Sequence, residues 1–255
     1  MDNFIGTATS DHVARIILNR PDKKNALTAQ MYGDLAQAIH DAEAGEQVRV
    51  LLLHGQADCF SAGNDLKDFI ANPPGDRDAP VFAFLSAIAS ARKPIVAAVG
   101  GPAVGIGTTM LLHCDLVYAA PDTRFQLPFT SLGLVPEAGS SLLLPNLAGY
   151  QRAAELLLLG RPFNVDKAVQ VGIVTEVVAA ADLLAHAAGV AAALAALPPA
   201  SVRLTKQLMK QSCAADVGKR IVEESEIFRE RLKSPEAQEA FTAFLEKRKP
   251  DFSRF

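Results

Sequence analysis

One carboxylate stands alone in an apolar, turn-rich stretch, Phe125-Gln126-Leu127-Pro128-Phe129-Thr130-Ser131-Leu132-Gly133-Leu134-Val135-Pro136-Glu137-Ala138-Gly139. An acid in such surroundings loses its water unless a partner is near, and desolvation raises a carboxyl pKa toward the range useful for moving protons at neutral pH. Glu137 is therefore the first candidate for proton-transfer chemistry. A second reading stands beside it. Pro136-Glu137-Ala138 has the composition of a helix start, where an acid gains about 0.5 kcal/mol from the helix dipole.

Two glycine turns offer a complementary chemistry. Ser61-Ala62-Gly63 and Gly100-Gly101-Pro102 through Gly105 each follow an apolar run and precede a short helical pattern. A strand entering a helix through glycine presents backbone N–H groups at the positive end of a dipole. The amides of Asn64 and Ile106 are placed to converge on one oxygen as an oxyanion hole, each donor contributing roughly 3 kcal/mol when that oxygen carries charge. Gly105-Ile106-Gly107 lacks the third glycine of a dinucleotide fingerprint, and no Gly-Lys-Ser/Thr follows for a phosphate loop.

Other polar residues have plainer readings. Asp65 follows Asn64 at a helix start and is expected to cap it. His113-Cys114-Asp115 and His54 are expected to be packing residues. Ser61 lacks the Gly-x-Ser-x-Gly setting of a serine hydrolase. Ser140 and Ser141 follow Glu137 closely enough to cap or orient. Cys59, Cys114 and Cys213 are an odd count without Cys-x-x-Cys spacing, so neither a disulfide framework nor a metal site is expected.

The elements that must position these groups read as α/β. Residues 12–18 alternate as a strand, residues 48–53 form an apolar run typical of a strand buried on both faces, and 95–99, 116–118, 124–127 and 172–178 read as further strands. Thr28 is expected to cap a helix with an apolar stripe of Leu27, Met31, Leu35, Ala38, Ile39 and Ala42. Strand, glycine turn and short helix recur, with helices expected over 65–70, over 108–113 and after Pro136-Glu137. Beyond Ala180 only helices are expected, with Val202, Leu204, Leu208, Ile221, Ile227, Phe228, Phe241 and Phe244 on their apolar faces. That surface either self-associates or folds back on its own core.

The 255 residues are 49% apolar and 21% charged, enough for one large core. A net charge of −3 exerts no overall pull toward nucleic acid. Two basic groups, Arg20 with Lys23 and Lys24, and Lys247-Arg248-Lys249, are solvated faces or contacts for an anionic small-molecule tail. Met1-Asp2-Asn3-Phe4 has no basic region followed by an apolar run, and no uninterrupted apolar stretch reaches about 20 residues, so a cytoplasmic protein without a membrane partner is expected.

Phe60-Ser61-Ala62-Gly63-Asn64-Asp65-Leu66, followed by Pro94 to Asp115 with its Gly-Pro-Ala-Val-Gly core, resembles the crotonase superfamily, the enoyl-CoA hydratase/isomerase family. The resemblance runs from Leu18-Asn19-Arg20-Pro21 to Ala243-Phe244-Leu245-Glu246-Lys247-Arg248. It implies a crotonase-like spiral of ββα units over residues 1–195, carrying an acyl-CoA site, and a C-terminal helical trimerisation region over 196–255. It also implies a homotrimer or dimer of trimers acting on an acyl-CoA thioester, with no separate cofactor because coenzyme A belongs to the substrate. By the same resemblance, Asn64 and Ile106 N–H groups hold the thioester oxygen. Ala62 and Leu66 meet the adenine end, Lys24, Ala26 and Leu27 line the CoA path, and Asp65 and Phe129 belong to the substrate-binding set.

The departures from the family narrow the chemistry. Family hydratases use two glutamates, one three residues beyond the oxyanion-hole residue and one directly after the proline of a later strand. Thr109 and Phe129 stand at those positions, and neither exchanges a proton with substrate carbon at neutral pH. The pattern around Pro128 to Ser141 is similar to that of peroxisomal-type Δ3,Δ2-enoyl-CoA isomerases, which implies Glu137 as a single catalytic base moving a double bond without water. An enoyl-CoA hydratase, a thioesterase and a non-catalytic acyl-CoA or RNA-binding member are the alternatives, RNA being least favoured by the charge. The acyl-tail pocket is expected near the loop Asn72 to Pro80.

Overall fold

The computed structural model describes residues 4–56, 59–72, 75 and 79–255. The reading of the first three residues, and most of that of the loop 72–80, therefore lies outside the described residues. An antiparallel pair opens the chain, β1 (Ile5–Ser10) and β2 (Val13–Leu18). Helix α1 (Ala29–Ala44) follows, started by the Thr28 hydroxyl, which accepts the Met31 N–H at 3.3 Å. Strand β3 (Val50–Gly55) leads toward α2 (Leu66–Ala71), and α3 (Pro80–Ser90) precedes β4 (Ile95–Val99). Then come β5 (Pro102–Val104), α4 (Ile106–Thr109), β6 (Leu116–Ala119) and β7 (Arg124–Gln126). Past β7 lie α5 (Ser140–Ala148), α6 (Tyr150–Leu159), β8 (Phe163–Asn164), α7 (Val165–Gln170) and β9 (Glu176–Val177). Four helices close the chain: α8 (Leu183–Ala196), α9 (Pro199–Gln211), α10 (Ala214–Leu232) and α11 (Pro235–Leu245).

The strands divide between two sheets, and that division is the spiral. The larger sheet runs β1-β2-β3-β4-β6-β9, parallel from β2 onward, while the smaller runs β5-β7-β8. The chain passes from β4 in the first sheet to β5 in the second, back to β6 and out again to β7. The preceding turn does the same in outline, because Ser61, just past β3, bridges in parallel to Ala103 of β5. Each circuit leaves the second layer into a helical turn: α2, α4, and the 3₁₀ turn Thr130–Leu132.

Both faces of β3 are covered, as its unbroken apolar run requires. Leu51 and Leu53 join the main core with α1 and α3, while Val50 and Leu52 face a second cluster built with α8. Leu183, Ala187, Ala191 and Ala195 recur every fourth residue along α8, a narrow stripe of mostly small side chains that lets the helix lie close beneath β3 and β4. No single described helix is long and apolar enough to cross a bilayer.

Several expected boundaries shift for local reasons. The strand expected over 172–178 shortens to Glu176–Val177, because Gly172, at φ 83°, turns the chain sharply out of α7. The helix expected over 108–113 begins earlier, at Ile106, and tightens to a 3₁₀ turn over Met110–His113. Glu137 does not open a helix, since α5 begins at Ser140 behind two left-handed residues, Ala138 at φ 61° and Gly139 at φ 70°. Of the apolar residues marked in the C-terminal helices, Ile221, Phe228 and Phe241 fold onto the core, while Leu204, Leu208, Ile227 and Phe244 stay exposed.

Candidate active site

The two glycine turns abut because their glycines carry no Cβ. A Cβ on Gly63, already at φ 90°, would stand 2.8 Å from the Val104 carbonyl oxygen, and one on Gly107 would stand 2.8 Å from that of Ser61. The Val104 N–H donates to Ser61 O at 3.0 Å, locking the turns side by side. Among the described residues, neither the Asn64 N–H, ahead of α2, nor the Ile106 N–H, at the start of α4, donates to a backbone carbonyl of another segment. The Ile106 side chain is fully buried in the core, so its contribution to any ligand is its amide.

A third segment braces this pair. Leu27 N–H donates to Gly63 O at 2.8 Å, Ala62 N–H to Lys24 O at 2.9 Å and Asp65 N–H to Leu27 O at 2.9 Å. Lys24 and Asn25 adopt left-handed φ values of 50° and 52°, and the buried Asn25 amide holds that bend by donating to Cys59 O at 2.7 Å. Asp65 caps α2 by accepting the Lys67 and Asp68 N–H groups at 3.1 and 3.2 Å, and it pairs with Arg20 at 2.8 Å. Burial works to raise the Asp65 carboxyl, but the Arg20 guanidinium and these N–H donors outweigh it and hold the group below its usual range.

Beside this framework lies a cavity of about 580 Å³. Ala62, Gly63, Asn64 and Gly105 form its polar wall, Glu137 faces it, and Phe69, Phe228, Phe241 and Phe244 supply apolar surface from α2, α10 and α11. Ala26, Asp65, Leu66 and Phe129 also line it. Lys23 reaches the cavity where Lys24 does not, and Leu27 is buried in the core beneath it.

Glu137 is only 8% exposed, and among the described residues its Oε1 has no hydrogen-bond partner. Burial first, and the charge of Glu224 second, push its carboxyl up to about 8. Thr109 and Phe129 are buried and offer no acid near it. His113 donates from Nε2 to Ala138 O at 2.8 Å, and burial pushes it down to about 4, so the ring is neutral and structural. Burial raises the Cys114 thiol to about 12, far from a reactive thiolate.

Two residues join the site that the sequence reading did not single out. Tyr32, on the buried face of α1, donates its hydroxyl to Asn64 Oδ1, and burial followed by the charge of Glu137 raises it well above the ordinary phenol value. Glu224 lies on α10 between the buried Ile221 and Phe228. A lone acid at that spacing on an otherwise apolar helix face is a sequence signal that could have marked it.

The enoyl-CoA hydratase/isomerase family model matches residues 8–254. The chain is 36% identical to enoyl-CoA delta isomerase 2 of Rattus norvegicus, over 93% of its own length and 62% of that relative's. A crystal structure of an enoyl-CoA hydratase/isomerase from Pseudoalteromonas atlantica T6c superposes with TM-score 0.94 at 42% identity, covering 98% of this chain and all of that one. An enoyl-CoA hydratase from Mycobacterium avium subsp. paratuberculosis K-10 gives TM-score 0.89 at 31% identity, covering 98% of this chain and 99% of that one. With its alternating two-sheet spiral, its paired glycine turns and a match across nearly the whole sequence, the chain belongs to the enoyl-CoA hydratase/isomerase family, the crotonases.

Proposed function

We propose that this protein shifts a double bond from the 3- to the 2-position of an enoyl-CoA. The observation that carries the reading is Glu137, a buried carboxyl raised to about 8, facing the cavity with an unpartnered oxygen and with Thr109 and Phe129 where the family's hydratases place acids. Ionised Glu137 takes a proton from C2 of the 3-enoyl thioester. The electron pair moves onto the thioester oxygen, where the Asn64 and Ile106 N–H groups stabilise the dienolate. Glu137 then returns the proton at C4, so the double bond moves with no water consumed and no separate cofactor.

Lys23, Ala26, Ala62, Asp65 and Leu66 form the mouth through which the CoA moiety enters, with the acyl chain meeting the phenylalanines beyond. The working unit is a homotrimer or a dimer of trimers, supported by the exposed Leu204, Leu208 and Met209 on α9. Purified protein incubated with trans-3-hexenoyl-CoA and, separately, crotonyl-CoA tests the chemistry. Conjugated 2-enoyl product without 3-hydroxyacyl product is expected. Hydration of crotonyl-CoA with 3-hexenoyl-CoA untouched would replace the isomerase reading by the hydratase one.

A further inference from the structure

The turn that carries Glu137 is held from behind by a second carboxylate. Glu224 accepts the Gly139 N–H through Oε2 at 2.6 Å and the Ser141 N–H through Oε1 at 2.9 Å. Both of its oxygens are committed to the backbone just past Glu137, and it does not line the cavity. The turn needs such a clamp, because Ala138 is left-handed at φ 61°, a conformation disfavoured for a residue with a Cβ. His113 secures the other side through Ala138 O. The bare Cα of Gly139 sits against α10, where a Cβ would meet Val217 and Ile221 at 3.4 Å.

We propose that Glu224 is a positioning residue for the proton transfer, its anion holding the left-handed turn that aims Glu137 into the cavity and supplying the negative field behind the Glu137 carboxyl. The inference rests on the reading of Glu137 as the base. The two acids are not equivalent. Burial raises both carboxyls, but at Glu224 the Gly139 and Ser141 N–H donors and the Arg220 guanidinium oppose it, whereas Glu137 Oε1 has no partner among the described residues. As pH rises Glu224 therefore ionises first, and its charge opposes ionisation of Glu137. The remaining groups facing the pair do not compete. The Tyr32 phenol stays protonated, His113 stays neutral, Ser140 and Ser141 carry no charge, and Arg220 is paired with Glu223 at 3.1 Å while donating to Ser141 Oγ at 3.2 Å.

Glu224→Gln keeps the side-chain shape and removes the charge. The rise of kcat/KM with pH for 3-hexenoyl-CoA is expected to move to lower pH by about one unit or more, with KM changed little. Glu224→Asp, which keeps the charge, is expected to return the profile toward wild type. Titration of ¹³C-labelled glutamate carboxyls in the substrate-free protein reads the same coupling without turnover. In wild type the Glu137 resonance is expected to respond in two steps, the first at the ionisation of Glu224, and in Glu224→Gln in one step at lower pH. A folded Glu224→Gln with an unmoved profile and an unmoved Glu137 titration overturns the proposal. If that variant does not fold, a single-step Glu137 titration in wild type overturns it. Near-normal turnover of Glu137→Gln is a separate result, which overturns the base assignment and not the coupling.

Discussion

Replacing Glu137 by glutamine should make the protein more resistant to alkali while disabling it, and the size of the first effect follows from the buried carboxyl. In the unfolded chain this acid ionises near its ordinary value of 4.5, whereas in the native protein it holds its proton to about 8. At about 1.4 kcal/mol per pH unit, the difference is on the order of 5 kcal/mol. The sign is fixed by proton binding. Between those two values the native state carries a proton that the unfolded state has lost, so stability falls as pH rises and levels off above about 8. Glutamine has no charge to lose, and its own hydrogen-bond mismatch is a pH-independent offset. Urea denaturation of both proteins at one fixed concentration, at several pH values from 5 to 9, should give curves that converge toward acid and separate by several kcal/mol at the alkaline end. Parallel curves would refute the burial argument. Turnover of the variant should fall by some 10²–10⁴-fold with substrate affinity largely kept, and near-normal turnover would remove Glu137 from the chemistry.

Gly107→Ala should press a methyl against the Ser61 carbonyl, where 2.8 Å is available, and part the two turns. Turnover should fall on the order of 10²-fold with KM nearly constant, as expected when one amide donor leaves a developing oxyanion, and steady-state kinetics on a folded variant would expose a contrary result. Lys206→Met should destabilise the protein by about 3 kcal/mol. The buried Lys206 ammonium pairs with Asp115 at 2.7 Å and donates to Lys93 O at 2.8 Å, tying α9 to the start of β4 and β6. A loss below about 1 kcal/mol in urea denaturation would show that the pair's desolvation offsets its attraction.

The legible part of the molecule was the part written in local pattern. Thr28 and the apolar stripe behind it placed α1, the run before His54 placed a strand covered on both faces, and Asp65 was readable as a cap. The two glycine turns were readable because a strand entering a helix through glycine is itself a local pattern, whereas their close approach through missing Cβ atoms is a matter of pairing. What local pattern could not convey was pairing. The parallel bridge of Ser61 to Ala103 joins residues 42 positions apart, and nothing in either segment names the other. Strand β1 escaped notice because four of its six residues are exposed and carry no apolar alternation. Tyr32 and Glu224 were missed for a related reason. Each is a polar tip on an otherwise buried helix face, and its purpose lies in a partner contributed by a distant turn.

Arg20 ties the loop after β2 to Asp65 on the cavity wall, and the same guanidinium donates to Ala26 O at 2.9 Å. One side chain thus joins the loop before α1, the residue following the Asn64 amide and the start of α2. The geometry of the Asn64 turn therefore leans on one largely buried ion pair, which bulk salt screens little but which a polyanion reaching Arg20 would contest. A phosphate-rich ligand drawn to the neighbouring Lys23 would meet the fastening of the entrance before it met the chemistry. Loosening that fastening would let the rim give way to the incoming headgroup while the buried carboxyl behind it stayed where α10 holds it.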